Sequence, residues 1–413
     1  MEPLAAFQAL TTGEGRRDPY PYYEALRAHG GLVAVKEGSL VAVGYRECDQ
    51  ALREPGLRVQ DGTAFDRVYP AWRSHSSVEA FVGSMLYSNP PRHTRQRAAV
   101  NTDFTPQQVA LLRPLIESAT AALLDRLEDL GADGSTVELM DQFASRLPMA
   151  VISAVLGFDR DRVLWFRDLA SAIAVSTDGF GDPAALATAD AAMDELADYF
   201  DELISRRRGC PVTGVVDTLL RLHDTEPDRL SRDELTGNMM LLLTAGFETT
   251  AFLLGEGVLT AVARPEYAAL LRADEAFAAP YVEEVLRFQP PVHVTSRWAG
   301  TDVVLADRLV PAGTRVVIAL AAGNRDPRRY RDPGRFDPSR TNRRSLSFGG
   351  GAHFCLGVSL ARLEAQIALP MLFRRLPGLA AAGAPGYRER WVIRGLSTLP
   401  LTTVAAAVVD PVR

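Results

Sequence analysis

Apolar positions recur at helical spacing through most of this chain. The pattern predicts helices over Tyr20–Ala28, Pro106–Leu130, Met140–Leu156, Asp161–Ile173, Ala184–Arg208, Val215–Leu222, Arg232–Val262, Glu266–Ala273, Ala279–Phe288 and Leu356–Leu376. Strand-like runs are few. Leu32–Val35 and Leu40–Val43, separated by Glu37-Gly38-Ser39, read as a hairpin. Val303–Leu305, Thr314–Leu320 and Leu399–Ala405 follow late in the chain. The expected fold class is mainly α with minor β. With no internal repeat, low-complexity tract or long Gly/Ser linker to divide it, one domain over residues 1–413 is expected. Within Arg232–Val262 the apolar run Met239–Gly255 is interrupted by Glu248, Thr249 and Thr250. It falls short of the roughly 20 apolar residues of a spanning helix, so it reads as a buried core helix.

Composition adds little to this picture, and charge removes some options. A net charge of -6 over 413 residues provides no global positive field for nucleic acid or an anionic membrane. Cys48, Cys210 and Cys355 are odd in number and far apart, which is not a disulfide framework and suggests a reducing compartment. Met1–Gly15 has no basic region leading into an apolar run, so a cytoplasmic protein is expected. Cys48 and Cys210 read as small buried hydrophobes.

Cys355 stands apart. Between Asn324 and Phe348 apolar periodicity gives way to Arg, Asp, Pro and Gly, and ordered irregular segments of that length are usually functional. The segment leads into Ser347-Phe348-Gly349-Gly350-Gly351-Ala352-His353-Phe354-Cys355-Leu356-Gly357. Consecutive glycines let a backbone turn tightly and approach a flat ligand. A cysteine opening a helix has free N–H groups and the positive dipole end nearby, which favour thiolate. No Lys-Ser or Lys-Thr follows, which excludes a phosphate loop. The central helix contains Ala245-Gly246-Phe247-Glu248-Thr249-Thr250. A buried carboxylate there needs a partner, a water or a function. A mid-helix glycine costs about 1 kcal/mol relative to alanine. A kink with Thr249 bonded back to a carbonyl is the plainer reading.

The cysteine segment resembles the ligand loop of the cytochrome P450 superfamily, Phe-Gly-x-Gly-x-His/Arg-x-Cys-x-Gly, matched at Phe348, Gly349, Gly351, His353, Cys355 and Gly357. The resemblance implies the P450 fold and haem b with Cys355 as axial iron ligand, a thiolate that favours O–O cleavage. The central-helix motif is similar to the family's Ala/Gly-Gly-x-Asp/Glu-Thr-Thr/Ser. It implies a kink that makes room for dioxygen, Glu248 as proton-relay acid and Thr249 as the hydroxyl beside bound oxygen. Glu284 and Arg287 resemble the family's Glu-x-x-Arg pair, and Pro333-Gly334-Arg335-Phe336 its meander motif. These imply a structural triad of Glu284, Arg287 and Arg335 holding the cysteine loop. Pro90-Pro91-Arg92-His93-Thr94-Arg95-Gln96-Arg97 resembles Pro-Pro-x-His-x-x-x-Arg, so His93, Arg97, Arg297 and His353 are the implied haem-propionate partners. The chain departs from the usual pattern at Asn89, Gly334 and Ser345.

The implied activity is a monooxygenase that hydroxylates or epoxidises a lipophilic small molecule in natural-product biosynthesis, free or tethered to a carrier protein. Oxidative ring coupling stays open. A non-catalytic haem ligand-binding protein is disfavoured by Glu248 and Thr249. The family resemblance also implies a soluble monomer served by a separate ferredoxin and ferredoxin reductase. Arg325–Arg344 holds eight arginines and three aspartates, a basic stretch suited to an acidic partner. Leu242, Ala245, Phe247, Val292 and Val294 suggest a largely apolar substrate pocket, with core packing the alternative for any of them.

Overall fold

The computed structural model describes residues 1–177, 182–207, 214–226 and 228–403. Cys210 and the end of the Leu399–Ala405 run lie outside them. Helices α1 (Pro3–Ala9) and α2 (Tyr20–Arg27) precede the hairpin β1 (Leu32–Lys36) and β2 (Ser39–Ala42). Then come α3 (Tyr45–Arg53), β3 (Leu57–Arg58), α4 (Ser76–Gly83), α5 (Arg92–Val100), α6 (Arg113–Gly131), α7 (Arg146–Leu156), α8 (Val163–Ala174), α9 (Pro183–Arg207) and α10 (Val215–Thr225). The chain continues through α11 (Arg232–Val262), α12 (Pro265–Ala273), α13 (Ala278–Phe288), β4 (Val294–Ala299), β5 (Arg315–Ala319), α14 (Val358–Arg375), β6 (Gly386–Tyr387) and β7 (Leu396–Thr398). The predicted helix Pro106–Leu130 is interrupted: a short turn, Pro106–Ala110, precedes α6, whose first turn holds Pro114. Proline is tolerated there because that N–H has no helical partner.

Strand order in the main sheet is β1-β2-β5-β4-β3, with β2 and β5 parallel and the other pairs antiparallel. One face packs on α1 and α2 through Leu10, Tyr23, Leu26, Val294 and Val317. The other face carries Leu52, Cys48, Ala299, Val316 and Leu346. Because side chains alternate along a strand, Val294 and Arg297 emerge on opposite faces of β4. Val294 therefore belongs to the N-terminal apolar cluster, which corrects its reading as a pocket residue.

The largest apolar cluster surrounds α11. A capping box of Ser231 and Glu234 starts this helix. Burial pushes the Glu234 carboxyl up, but hydrogen bonds from Arg95 and Arg92 outweigh it and hold it at about 2. Those pairs fasten the start of α5 to α11. By length and composition α11 could cross a membrane, yet 83% of its most apolar window is buried inside the fold. The helix is assigned without a break from Arg232 to Val262. Gly246 is needed for close packing: a Cβ there would lie 2.6 Å from Ile152 Cγ1 on α7.

Candidate active site

On α11, Ala245 is exposed and Gly246 and Thr249 are half-buried, although the residues on either side along the helix are almost all buried. This strip is the open face of the helix. Phe247, two positions from Ala245, lies on the far side at about 100° per residue and is fully packed in the core, which removes it from the pocket. Leu242 is buried at the flank of the strip, and half-buried Val292 packs against the Arg297 side of the sheet. The Thr249 hydroxyl donates to Ala245 O at 3.2 Å.

Glu248 points elsewhere. Its side chain is 3% exposed, and Oε1 accepts from Arg388 Nη1 at 3.0 Å and Arg390 Nη1 at 2.7 Å. Burial of the acid, expected to need a partner, is met by two guanidiniums from the loop between β6 and β7. Nothing in apolar periodicity marks that loop; the alternation Arg388-Glu389-Arg390 is its only sequence signal.

The cysteine loop folds as its glycines require. Gly349 and Gly351 adopt φ of 69° and 65°, left-handed conformations that glycine enters without strain. A Cβ on Gly351 would lie 2.3 Å from Leu52 O, so the loop seats directly on the end of α3. Gly349 N donates to Leu346 O at 2.8 Å and Cys355 N to Phe348 O at 3.0 Å, closing the turn. Cys355 lies just before α14. Burial pushes its thiol up, opposed by the Gly357 N–H and by Arg97 and Arg362. Cys48, by contrast, is fully buried, and its Sγ contacts Ala42 O at 3.2 Å.

Behind the loop, Arg287 and Glu284 form a buried bidentate pair, Nε to Oε2 at 2.8 Å and Nη2 to Oε1 at 2.6 Å. The second arginine on Glu284 is Arg340, Nε to Oε1 at 3.1 Å, and not Arg335. Arg335 is exposed and contributes only its carbonyl, which accepts from Arg287 and Arg340. The two residues are five apart in an irregular turn, where the motif fixes chain path but not which side chain turns inward. Arg287 also donates to Asn324 O at 3.0 Å. Asn324 in turn accepts from Leu346 N at 2.7 Å and donates to Ser347 Oγ at 2.9 Å. A continuous buried network therefore runs from Glu284 to the cysteine loop.

His93 and Arg97, one turn apart on α5, converge with Arg297 of β4 and His353 of the loop. The two histidine rings lie 4.1 Å apart between centroids. Burial, with the neighbouring His93, Arg297 and Arg97, pushes His353 down to about 3. Burial, with Arg97 and Arg297, lowers His93. Burial alone pulls Arg297 down to about 10. It also lowers Arg97, which Cys355 opposes. Among the described residues, none of the four has an ion pair with a carboxylate. Four crowded donors without an acid form a seat for an anion. No group of three or more His, Cys, Asp and Glu gathers among the described residues to hold a metal. A cysteine that shares Arg97 with an anion seat thus suits a metal that would bring its own further ligands and acidic groups. Haem fits that requirement.

The outer face of the loop holds a recess of about 320 Å³ lined by Arg53, Arg344, Phe348, Phe354 and Arg362, with Phe354 41% exposed. Of the basic segment, Arg325 stacks on Tyr20 and Phe288, Arg328 pairs with Asp326 and Glu47, and Arg340 pairs with Glu284. Those three are engaged within the fold, which narrows the charge available to a partner.

The cytochrome P450 family model matches residues 183–377. The P450 monooxygenase PikC of Streptomyces venezuelae is 38% identical over 93% of this chain and 91% of its own. The 6-deoxyerythronolide B hydroxylase of Saccharopolyspora erythraea is 35% identical over 93% and 96%. The solved structure of P450BioI in complex with a fatty-acid-ligated acyl carrier protein superposes with a TM-score of 0.86 at 30% identity, covering 94% of this chain and 99% of that one. With the fold shared over nearly its whole length, the chain belongs to the cytochrome P450 family of haem-dependent monooxygenases.

Proposed function

We propose that this chain, working as a single domain, hydroxylates or epoxidises a lipophilic natural-product scaffold. Cys355 would hold haem b through its iron, and His93, Arg97, Arg297 and His353 would hold the propionates. The observation that carries this reading is the convergence of Cys355 with four donors that have no acid of their own. Bound haem supplies oxygen activation. The chain's own residues supply the rest: Thr249 presents a hydroxyl at the open strip, Glu248 stores a carboxylate one residue away, and Glu284, Arg287 and Arg340 fix the cysteine loop. Ala245, Leu242 and Val292 border the apolar substrate space. Glu248 and Thr249 serve proton delivery.

Electrons come from a separate ferredoxin and its reductase. The recess of Arg53, Arg344, Phe354 and Arg362 outside the cysteine loop supports this docking through its exposed aromatic and the outward parts of its guanidiniums, Arg53 and Arg344 sharing Asp49 and Arg362 pairing with Glu283. The carrier-bound complex of P450BioI keeps a tethered substrate in view. The protein acts as a monomer in the cytoplasm. A type I spectral-shift screen of the ferric enzyme against lipophilic compounds, free and carrier-tethered, tests the substrate class. Binding of apolar scaffolds is expected, and binding confined to small polar compounds would overturn it.

A further inference from the structure

We propose that Arg388 and Arg390, in the loop between β6 and β7, are positioning residues that fix the Glu248 carboxylate, and that Arg390 links it to the end of α8. This rests on the reading that Glu248 serves proton delivery. One carboxylate oxygen accepts from both guanidiniums, at 3.0 and 2.7 Å. Arg390 is only 11% exposed and reaches further: its Nη2 donates to Ala174 O at 2.8 Å. Ala174 is the last residue of α8. One side chain thus touches α11, α8 and its own loop.

The loop itself has little freedom. Gly395 lies so close to α11 that a Cβ there would be 2.0 Å from Phe252 Cγ, one turn beyond Glu248. Arg388 N donates to Gly395 O at 3.0 Å and closes the loop on itself. Arg394 N donates to Pro291 O at 2.8 Å, and His293 N to Val392 O at 2.9 Å, which pin its outer side. Burial, opposed by Glu248 and reinforced by Arg390, lowers the Arg388 guanidinium. Glu248 and Thr249 diverge by about 100° around the helix. A proton passing between the acid and the open strip therefore depends on the direction in which these arginines hold the carboxylate. Displacement of the end of α8 would be felt at the acid through a single guanidinium.

The test uses the holoenzyme with a plant-type ferredoxin and its reductase, without organic substrate. Dioxygen takes two electrons and two protons to leave as hydrogen peroxide, or four of each to leave as two waters. The peroxide-to-water ratio therefore reports interrupted proton delivery. Glu248→Gln and Arg390→Lys are each expected to raise the ratio about tenfold, the loss of one charge-assisted contact. In the Glu248→Gln background Arg390→Lys should add nothing. Arg388→Gln should raise the ratio in the same direction. Amide exchange over residues 170–176 should quicken in Arg390→Lys. An equal further rise from Arg390→Lys on the Gln background would overturn the proposal, as would faster exchange with an unchanged ratio. An unchanged ratio in Glu248→Gln would instead remove the proton-delivery reading on which the proposal stands.

Discussion

Arg340→Ala and Arg335→Ala differ by five positions and are expected to differ greatly in stability. Arg340 is 10% exposed and donates to Glu284 Oε1 at 3.1 Å and to the carbonyls of Arg331, Asp332 and Arg335 at 2.5, 2.8 and 2.9 Å. Its removal strips one charge-assisted hydrogen bond from a carboxylate that is 4% exposed, a loss of about 1.5–3 kcal/mol. The three carbonyls lose a donor as well, but lie nearer solvent. Glu284 keeps Arg287 and the Asp337 N–H at 2.7 Å, so the cost stays below the roughly 3–5 kcal/mol of a buried charge left alone. A net loss of about 3 kcal/mol is expected. Arg335→Ala keeps the backbone carbonyl that its neighbours use and deletes only an exposed side chain, so it should change stability by less than about 0.5 kcal/mol. Urea titration of the holoenzyme at pH 7, followed by tryptophan fluorescence and by the Soret band, measures both. In Arg340→Ala the Soret signal should be lost before the tryptophan signal, because the network ends at the cysteine loop. A larger loss in Arg335→Ala than in Arg340→Ala would refute the assignment.

Three further outcomes follow from other contacts. Burial raises Glu256 to about 7 against 4.5 for a free glutamate, so the folded carboxyl keeps a proton that the unfolded chain releases between those values. The stability it contributes is present below pH 4.5 and lost as pH rises through 7, a span of roughly 3 kcal/mol. Glu256→Gln should therefore raise the melting temperature at pH 8 and leave it unchanged near pH 4.5; equal shifts at both would contradict the burial argument. Gly246→Ala places a methyl 2.6 Å from Ile152 Cγ1 and should cost about 1–2 kcal/mol despite better helix propensity, with most of the loss recovered on an Ile152→Ala background. Gly351→Ala combines a φ of 65° with a Cβ 2.3 Å from Leu52 O, so haem retention should collapse while far-ultraviolet helicity is kept.

Helix positions were legible because a 3.6-residue apolar period survives in the sequence, and α11 matches its expected limits to the residue. Short helices such as α3 and α4 and the strand β4 were not, because four to nine residues hold too few periods to separate helix from strand. The cysteine loop was legible from its glycines. The inward-turning arginine was not: Arg335 and Arg340 share a basic, aperiodic turn, and only the path of the chain decides which reaches Glu284. The same holds for Phe247 and Val294, whose apolar character is compatible with pocket or core until helix and strand faces are assigned. The partners of Glu248 lay 140 and 142 residues away, beyond the reach of any local pattern.

The central claim is that Cys355 carries the haem iron as a thiolate. Carbon monoxide difference spectroscopy of the reduced enzyme tests it directly. The wild type should show the red-shifted Soret band diagnostic of thiolate ligation, and Cys355→Ser should lose it while Cys48→Ser retains it. A wild-type band at the position of imidazole ligation, or a thiolate band that survives in Cys355→Ser, would contradict the account.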